Sequence, residues 1–122
     1  ALDINISVSL HSVIWILTGH EAAGLIVGVG SKCRFRIGER VAIENHFYCG
    51  ECYQCSIGRK DICANLQQFG HGKGTIYGGC CEYYVVKERY AYRLKADISW
   101  RDAALLEPLG VAHNACEQAD VE

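Results

Sequence analysis

The 122-residue sequence predicts a mainly β fold with short helices, in which short strands form a barrel beside a cysteine-rich lobe. Two runs rich in β-branched residues, 27–30 and 40–43, flank a loop and are punctuated by glycines. A third run, 83–86, also predicts a strand. Residues 44–66 have too few apolar side chains for a core of their own. We therefore expect a small β domain whose lobe is held by something other than packing.

The C-terminal part of the sequence predicts helices. Ser99 is a typical N-cap residue, because its hydroxyl can accept a hydrogen bond from the first turn. Residues 99–119 then continue with a helix-compatible pattern. Pro108 lacks a backbone N–H, so it either interrupts this helix or opens a second one that runs toward Gln118.

Length and charge limit the function classes. A chain of this length predicts one domain. It carries 12 Lys and Arg against 14 Asp and Glu, with no basic run that would indicate a nucleic-acid partner. No apolar run approaches the ~18 residues of a membrane span, and the apolar N-terminal stretch lacks the basic flank and cleavage site of a signal peptide. Eight cysteines without secretory features favour the reducing cytoplasm.

Four cysteines of the lobe are the strongest signal of chemistry. They follow a C-x2-C-x2-C-x7-C pattern, and we call them the lobe cysteines: Cys49, Cys52, Cys55 and Cys63. Zinc takes four thiolates in closed structural sites, and two-residue gaps let successive cysteines of a turning loop face one centre. Two disulfides or an iron–sulfur cluster are the alternatives, and the spacing favours zinc.

A second group of candidate ligands lies outside the lobe. Gly19-His20-Glu21 supplies an imidazole and a carboxylate, which are suitable ligands for an open zinc site that keeps a water molecule. Glu107 precedes Pro108 among leucines and predicts a partly buried carboxylate. On sequence alone, a surface His-Glu pair and an acid at a helix terminus explain the same residues.

Taken in order, these motifs resemble the GroES-like catalytic domain of zinc-dependent medium-chain dehydrogenases. The resemblance covers about residues 19–122, and Glu-Pro-Leu at 107–109 is most similar to the sorbitol (polyol) and threonine dehydrogenase branch. It is carried by G-H-E-A-A-G (19–24), V-G-V-G-S (27–31), F-R-I-G-E-R-V (35–41), the lobe motif (49–63), G-G-C-C-E-Y-Y-V-V (78–86) and L-E-P-L-G-V-A-H-N-A (106–115).

The resemblance implies a partly open β-barrel and a role for each candidate residue. The lobe cysteines would hold a structural zinc, and His20 would ligate a catalytic zinc. Glu21 would ligate that zinc or lie beside it in exchange with water, and Glu107 would ligate the zinc or hold its water. Ser12 matches the hydroxyl residue that relays the proton in the family. The zinc would act as a Lewis acid on a small-molecule alcohol, and NAD(P) would take the hydride from the carbinol carbon to leave a ketone. A homo-oligomeric full-length protein is also implied.

Two features depart from the family pattern. Leu10 stands where the family has its first metal-ligating cysteine, and Val13 replaces an aspartate. No Gly-x-Gly-x-x-Gly motif follows before Glu122, so we expect the Rossmann domain to be absent and the chain alone to be inactive. We divide the chain into an atypical N-terminal segment, 1–18, and the GroES-like domain, 19–122. The alternative function is a non-catalytic zinc-binding module, an inactive truncated product.

Overall fold

A computed structural model describes residues 3–7, 19–70, 78–95 and 97–120, and of residues 3–7 it describes the backbone alone. Within these ranges five strands form one sheet. The strands are β1 (Asp3–Ser7), β2 (Ala23–Val29), β3 (Arg40–Ile43), β6 (Tyr83–Lys87) and β7 (Ala91–Arg93). Their order across the sheet is β6-β1-β2-β3-β7. The strands predicted around 27–30, 40–43 and 83–86 are therefore confirmed.

All neighbouring strands of this sheet are antiparallel. Strand β1 pairs with both β2 and β6, so residues 3–7 lie inside the sheet, where no strand was predicted. The register between β2 and β3 pairs Ala23 with Ala42 and Gly24 with Val41. The described strands do not close into a barrel, which confirms the partly open architecture.

The lobe follows β3 and contains little regular structure. Strand β4 (His46–Phe47) pairs with β5 (Gln67–Gln68) and closes the base of the lobe. Between them lie a single helical turn, α1 (Tyr53–Ser56), and a 3-10 turn, Lys60–Ile62. Neither turn contributes a buried residue, so packing does not hold this part of the chain together.

The core lies on one face of the sheet. In β2 and β6 the side chains alternate between the two faces, as the period of a strand requires, and Ile26, Tyr84 and Val86 point inward. Phe69, which follows β5, is 1% exposed and packs its ring 4.9 Å from that of Tyr84. Burying these apolar surfaces is the main stabilising contribution available to the domain.

Two helices end the described chain, α2 (Trp100–Ala104) and α3 (Leu106–Gln118). The Ser99 hydroxyl accepts a hydrogen bond from the N–H of Asp102 at 3.1 Å, so the predicted cap is confirmed. Pro108 is the third residue of α3, where no N–H is needed, which confirms that it opens a second helix. Helix α3 has no buried residue. None of the described helices is long and apolar enough to cross a membrane.

Candidate metal centres

The four lobe cysteines converge on one point, because the turns at Tyr53–Ser56 and Lys60–Ile62 fold their segment back on itself. Cys63 is buried and the other three are partly exposed. The sulfur atoms of Cys49 and Cys63 lie 3.5 Å apart, those of Cys52 and Cys63 3.9 Å, and those of Cys49 and Cys55 4.0 Å. Four sulfurs at about 2.3 Å from one tetrahedral zinc lie about 3.8 Å apart, so the lobe fits this ion without rearrangement. Disulfide bonds are absent, since all eight cysteines are free thiols.

Backbone amides prepare the lobe for a cation. The N–H groups of Glu51 and Cys52 donate to Cys49 Sγ at 3.5 and 3.4 Å and lower the pKa of Cys49 to about 6. Burial, in contrast, raises the pKa of Cys55 to about 12. Adjacent thiolates repel one another, so all four ionise together only when a metal ion supplies the compensating charge. The lobe is therefore a closed thiolate site with no position left for a substrate.

The second group is assembled by the sheet and by helix α3. Ile43 donates its N–H to the carbonyl of Ala22 at 2.9 Å, which extends the β2–β3 register beyond the strands. His20 and Asn45 lie two residues beyond this pair, and each approaches the Glu107 carboxylate, at 3.8 Å and 2.8 Å respectively. Helix α3 then brings Glu107, in its first turn, to the same place. Residues far apart in the sequence thus meet beside the start of β2 and the end of β3.

The three predicted ligands come together there. One ligand atom from each of His20, Glu21 and Glu107 lies within 4.8 Å of the other two. His20 Nε2 is 3.8 Å from Glu107 Oε2. The His20 side chain is 33% exposed and that of Glu107 18%, whereas Glu21 is exposed. An imidazole and two carboxylates with partial access to solvent suit an open zinc site rather than a closed one.

Asn45 belongs to this site although nothing in the sequence motifs indicated it. Its side chain is 2% exposed, and Nδ2 donates to Glu107 Oε1 at 2.8 Å. The signal that could have found it is the strand register, which is visible only after β2 and β3 are paired.

A cavity of about 470 Å³ opens beside this cluster. Asn45 and Glu107 line it, together with Glu44, His46 and Tyr92, and the last three also line a neighbouring cavity of about 230 Å³. Small-molecule sites are commonly concave and of roughly 300–1,000 Å³. The other lining residues are mainly apolar, among them Ile43, Leu106 and Val111, so a small molecule can reach the carboxylate of Glu107 through a largely apolar cavity.

The structure separates the predicted site residues into two groups and leaves one untested. The lobe cysteines form one cluster, and His20, Glu21 and Glu107 form the other. Ser12 lies outside the described residues, as do Leu10 and Val13. The proton-relay role of Ser12 therefore stays a prediction.

Comparison with known proteins gives the family of the chain. The model of the family "Alcohol dehydrogenase GroES-like domain" matches residues 4–96. An L-threonine 3-dehydrogenase from Deinococcus radiodurans is 39% identical over 98 residues, which are 80% of this chain and 27% of that protein. A sorbitol dehydrogenase from Bacillus subtilis is 31% identical over 107 residues, which are 87% of this chain and 30% of that protein.

Solved structures give the same result. The crystal structure of an alcohol dehydrogenase from E. coli CFT073 in complex with NADH superposes with a TM-score of 0.80 at 29% identity, covering 95% of this chain and 38% of that one. The chain thus spans less than a third of the length of the two curated relatives named above.

Proposed function

The chain belongs to the alcohol dehydrogenase GroES-like domain family, and we propose that it is the zinc-binding part of a dehydrogenase that oxidises a secondary alcohol, a polyol or L-threonine. The single observation that carries this proposal is the meeting of His20, Glu21 and Glu107 within 4.8 Å beside a cavity. The separate thiolate lobe supports it, because structural and catalytic zinc ions require closed and open sites respectively.

Each residue of the open site has a proposed task. His20 offers a neutral imidazole nitrogen, and Glu107 offers Oε2, which faces that nitrogen at 3.8 Å. Glu21, which is exposed, can approach or leave the metal as water or substrate arrives. Zinc held there supplies a Lewis acid that lowers the pKa of a substrate hydroxyl. Ser12, by resemblance to the family, would receive the proton that the hydroxyl loses.

Hydride transfer requires a nicotinamide cofactor. NAD(P) would supply the acceptor for the hydride of the carbinol carbon, and the alcohol would become a ketone. The complex of the E. coli CFT073 relative with NADH supports this choice. In this proposal the cofactor is bound outside the 122 residues. A cytoplasmic location and a homo-oligomeric full-length protein are proposed from the family alone.

A metal titration tests the proposal. The reduced chain is first loaded with one zinc ion at the lobe, and Co²⁺ is then added while its visible absorption is followed. We expect a second, weaker site that is lost in His20→Ala and is markedly weakened, but still measurable, in Glu107→Ala. His113→Ala is the matched control, because His113 lies exposed on α3 and pairs only with Glu117 among the described residues. The activity is tested by measuring NAD(P)H formation from L-threonine or sorbitol with the native protein purified from its source.

A non-catalytic zinc-binding module is the second candidate, and Leu10 is the observation that favours it. A leucine cannot replace the thiolate that the family supplies at this position. This function would be supported by a lobe that holds zinc normally and a second site that binds no Co²⁺. Binding that depends on His20 would exclude it.

A further inference from the structure

We propose that Asn45 is a positioning residue for Glu107, holding one carboxylate oxygen so that the other faces His20. This inference deepens the proposed function and rests on it, because it assigns the arrangement of a ligand in the open metal site. It concerns a residue that neither the sequence motifs nor the comparisons with known proteins single out.

The two carboxylate oxygens of Glu107 have different partners. Asn45 Nδ2 donates to Glu107 Oε1 at 2.8 Å, whereas Oε2 lies 3.8 Å from His20 Nε2. An amide donor engages Oε1 and orients the carboxylate plane, so Oε2 is the oxygen directed toward a shared metal ion. Glu107 would therefore offer Oε2 to a metal ion, while Oε1 keeps its hydrogen bond to the amide.

Asn45 is itself held firmly. It is 2% exposed, and its backbone carbonyl accepts a hydrogen bond from the N–H of Phe69 at 2.9 Å. Phe69 is 1% exposed and belongs to the hydrophobic core. The backbone of Asn45 is therefore tied to the hydrophobic core, and its buried side chain extends from this point to Glu107.

Glu107 lies on a helix that contributes no buried residue to the core. Helix α3 has no buried residue, and neighbouring Leu105, Leu106 and Leu109 are exposed. A carboxylate on such a helix would otherwise sample several rotamers, at a cost in side-chain entropy when a metal binds. Hydrogen-bonded partners of metal ligands typically contribute about 10–100-fold to metal affinity.

The experiment measures Co²⁺ affinity at the open site of the chain after the lobe has been loaded with zinc. Asn45→Leu keeps the approximate volume and removes the donor, and Asn45→Gln keeps an amide donor on a longer side chain. We expect Asn45→Leu to lower the Co²⁺ affinity about 10-fold or more and to change the visible Co²⁺ spectrum. In Asn45→Gln, both the affinity and the spectrum should return part of the way to those of the wild type. Asn65→Ala, at an exposed asparagine, is the matched control and should change neither quantity.

A second comparison separates positioning from general stability. In a Glu107→Ala background, Asn45→Leu should cause no further loss of Co²⁺ affinity, because Asn45 acts through the carboxylate. An equal loss in both backgrounds would overturn the inference, as would unchanged affinity and spectrum in Asn45→Leu. If the leucine variant does not fold, Asn45→Ser, whose hydroxyl lies on a shorter side chain, replaces it with the same expected results.

The outcomes also separate this inference from the proposed function. Co²⁺ binding that requires His20 and Glu107 but is indifferent to Asn45 would remove the inference and leave the proposed function intact. A wild-type chain that binds no second ion would overturn both.

Discussion

Gly70 and Gly19 lie so close that a Cβ atom built on Gly70 would stand 2.1 Å from the carbonyl oxygen of Gly19. Both glycines have positive φ angles, 74° and 93°. The same carbonyl accepts a hydrogen bond from the N–H of Gly79 at 2.6 Å. Three distant segments therefore meet at the residue directly before His20, and only a glycine fits this contact at position 70.

Gly70→Ala is expected to destabilise the domain far more than a Gly→Ala substitution at a glycine that has a positive φ but no close neighbour. Gly58 is the matched control, since its φ is 85° and no atom lies within 4 Å of a Cβ built there. Gly58→Ala should cost about 1–2 kcal/mol, the penalty for a left-handed alanine. Urea unfolding of the zinc-loaded chain measures both variants. Equal losses would show that the close approach to Gly19 contributes nothing.

Tyr84→Phe is expected to stabilise the domain. The Tyr84 hydroxyl is buried and no described residue makes a hydrogen bond to it, whereas the Tyr90 hydroxyl donates to the carbonyl of Tyr48. Burial also raises the pKa of Tyr84, so the hydroxyl stays protonated. Removing an unpaired buried hydroxyl should gain about 1 kcal/mol, and Tyr90→Phe should lose about 1 kcal/mol. A loss of stability in Tyr84→Phe, measured by urea unfolding, would contradict this assignment.

Glu88→Gln is expected to weaken the domain at neutral pH and much less in acid. Glu88 is 4% exposed, and both the side chain and the backbone N–H of Arg34 donate to it. The side-chain hydrogen bond from Arg34 lowers the pKa of Glu88 below its ordinary 4.5. A carboxylate with a lowered pKa contributes stability above its ordinary pKa, and this contribution is lost as the pH falls through the folded value.

The free energy of unfolding of Glu88→Gln and of the wild type, each measured at pH 7 and at pH 3.5–4, tests this prediction. The difference between the two proteins should be about 1–3 kcal/mol at pH 7, because hydrogen bonds to charged groups are the stronger ones, and should shrink in acid. Zinc release at low pH affects both proteins, so the difference between their free energies of unfolding at one pH does not include it. A difference independent of pH would show that the charge on Glu88 does not matter.

The features that could be predicted from the sequence are those formed by residues close together in the chain. The lobe cysteines are close together in the chain, so their spacing already indicates one shared centre, and Ser99 and Pro108 act within a single helical turn. Asn45 escaped prediction because it meets Glu107 across 62 positions of the sequence. The contact between Gly70 and Gly19 likewise depends on the assembled fold, as does the pairing of strand β1 with two strands that are distant in the sequence.

Cys63→Ser is expected to abolish tight zinc binding and to unfold the lobe, while Cys116→Ser should do neither. Cys63 is buried, and its sulfur lies within 4 Å of those of Cys49 and Cys52, whereas Cys116 is exposed on α3. Structural zinc sites contribute about 10–16 kcal/mol of binding free energy in small finger peptides. The lobe has no buried residue in its two turns to compensate for that loss.

Native mass spectrometry of the reduced proteins, with and without a chelator, measures this outcome. Wild type and Cys116→Ser should each retain one zinc ion, and Cys63→Ser should retain none. Limited proteolysis should then cut Cys63→Ser between 49 and 63, while the five-stranded sheet persists, because the core on the sheet is built largely outside the lobe. Zinc retained by Cys63→Ser would show that the remaining three thiols suffice and that the fourth cysteine is not a required ligand.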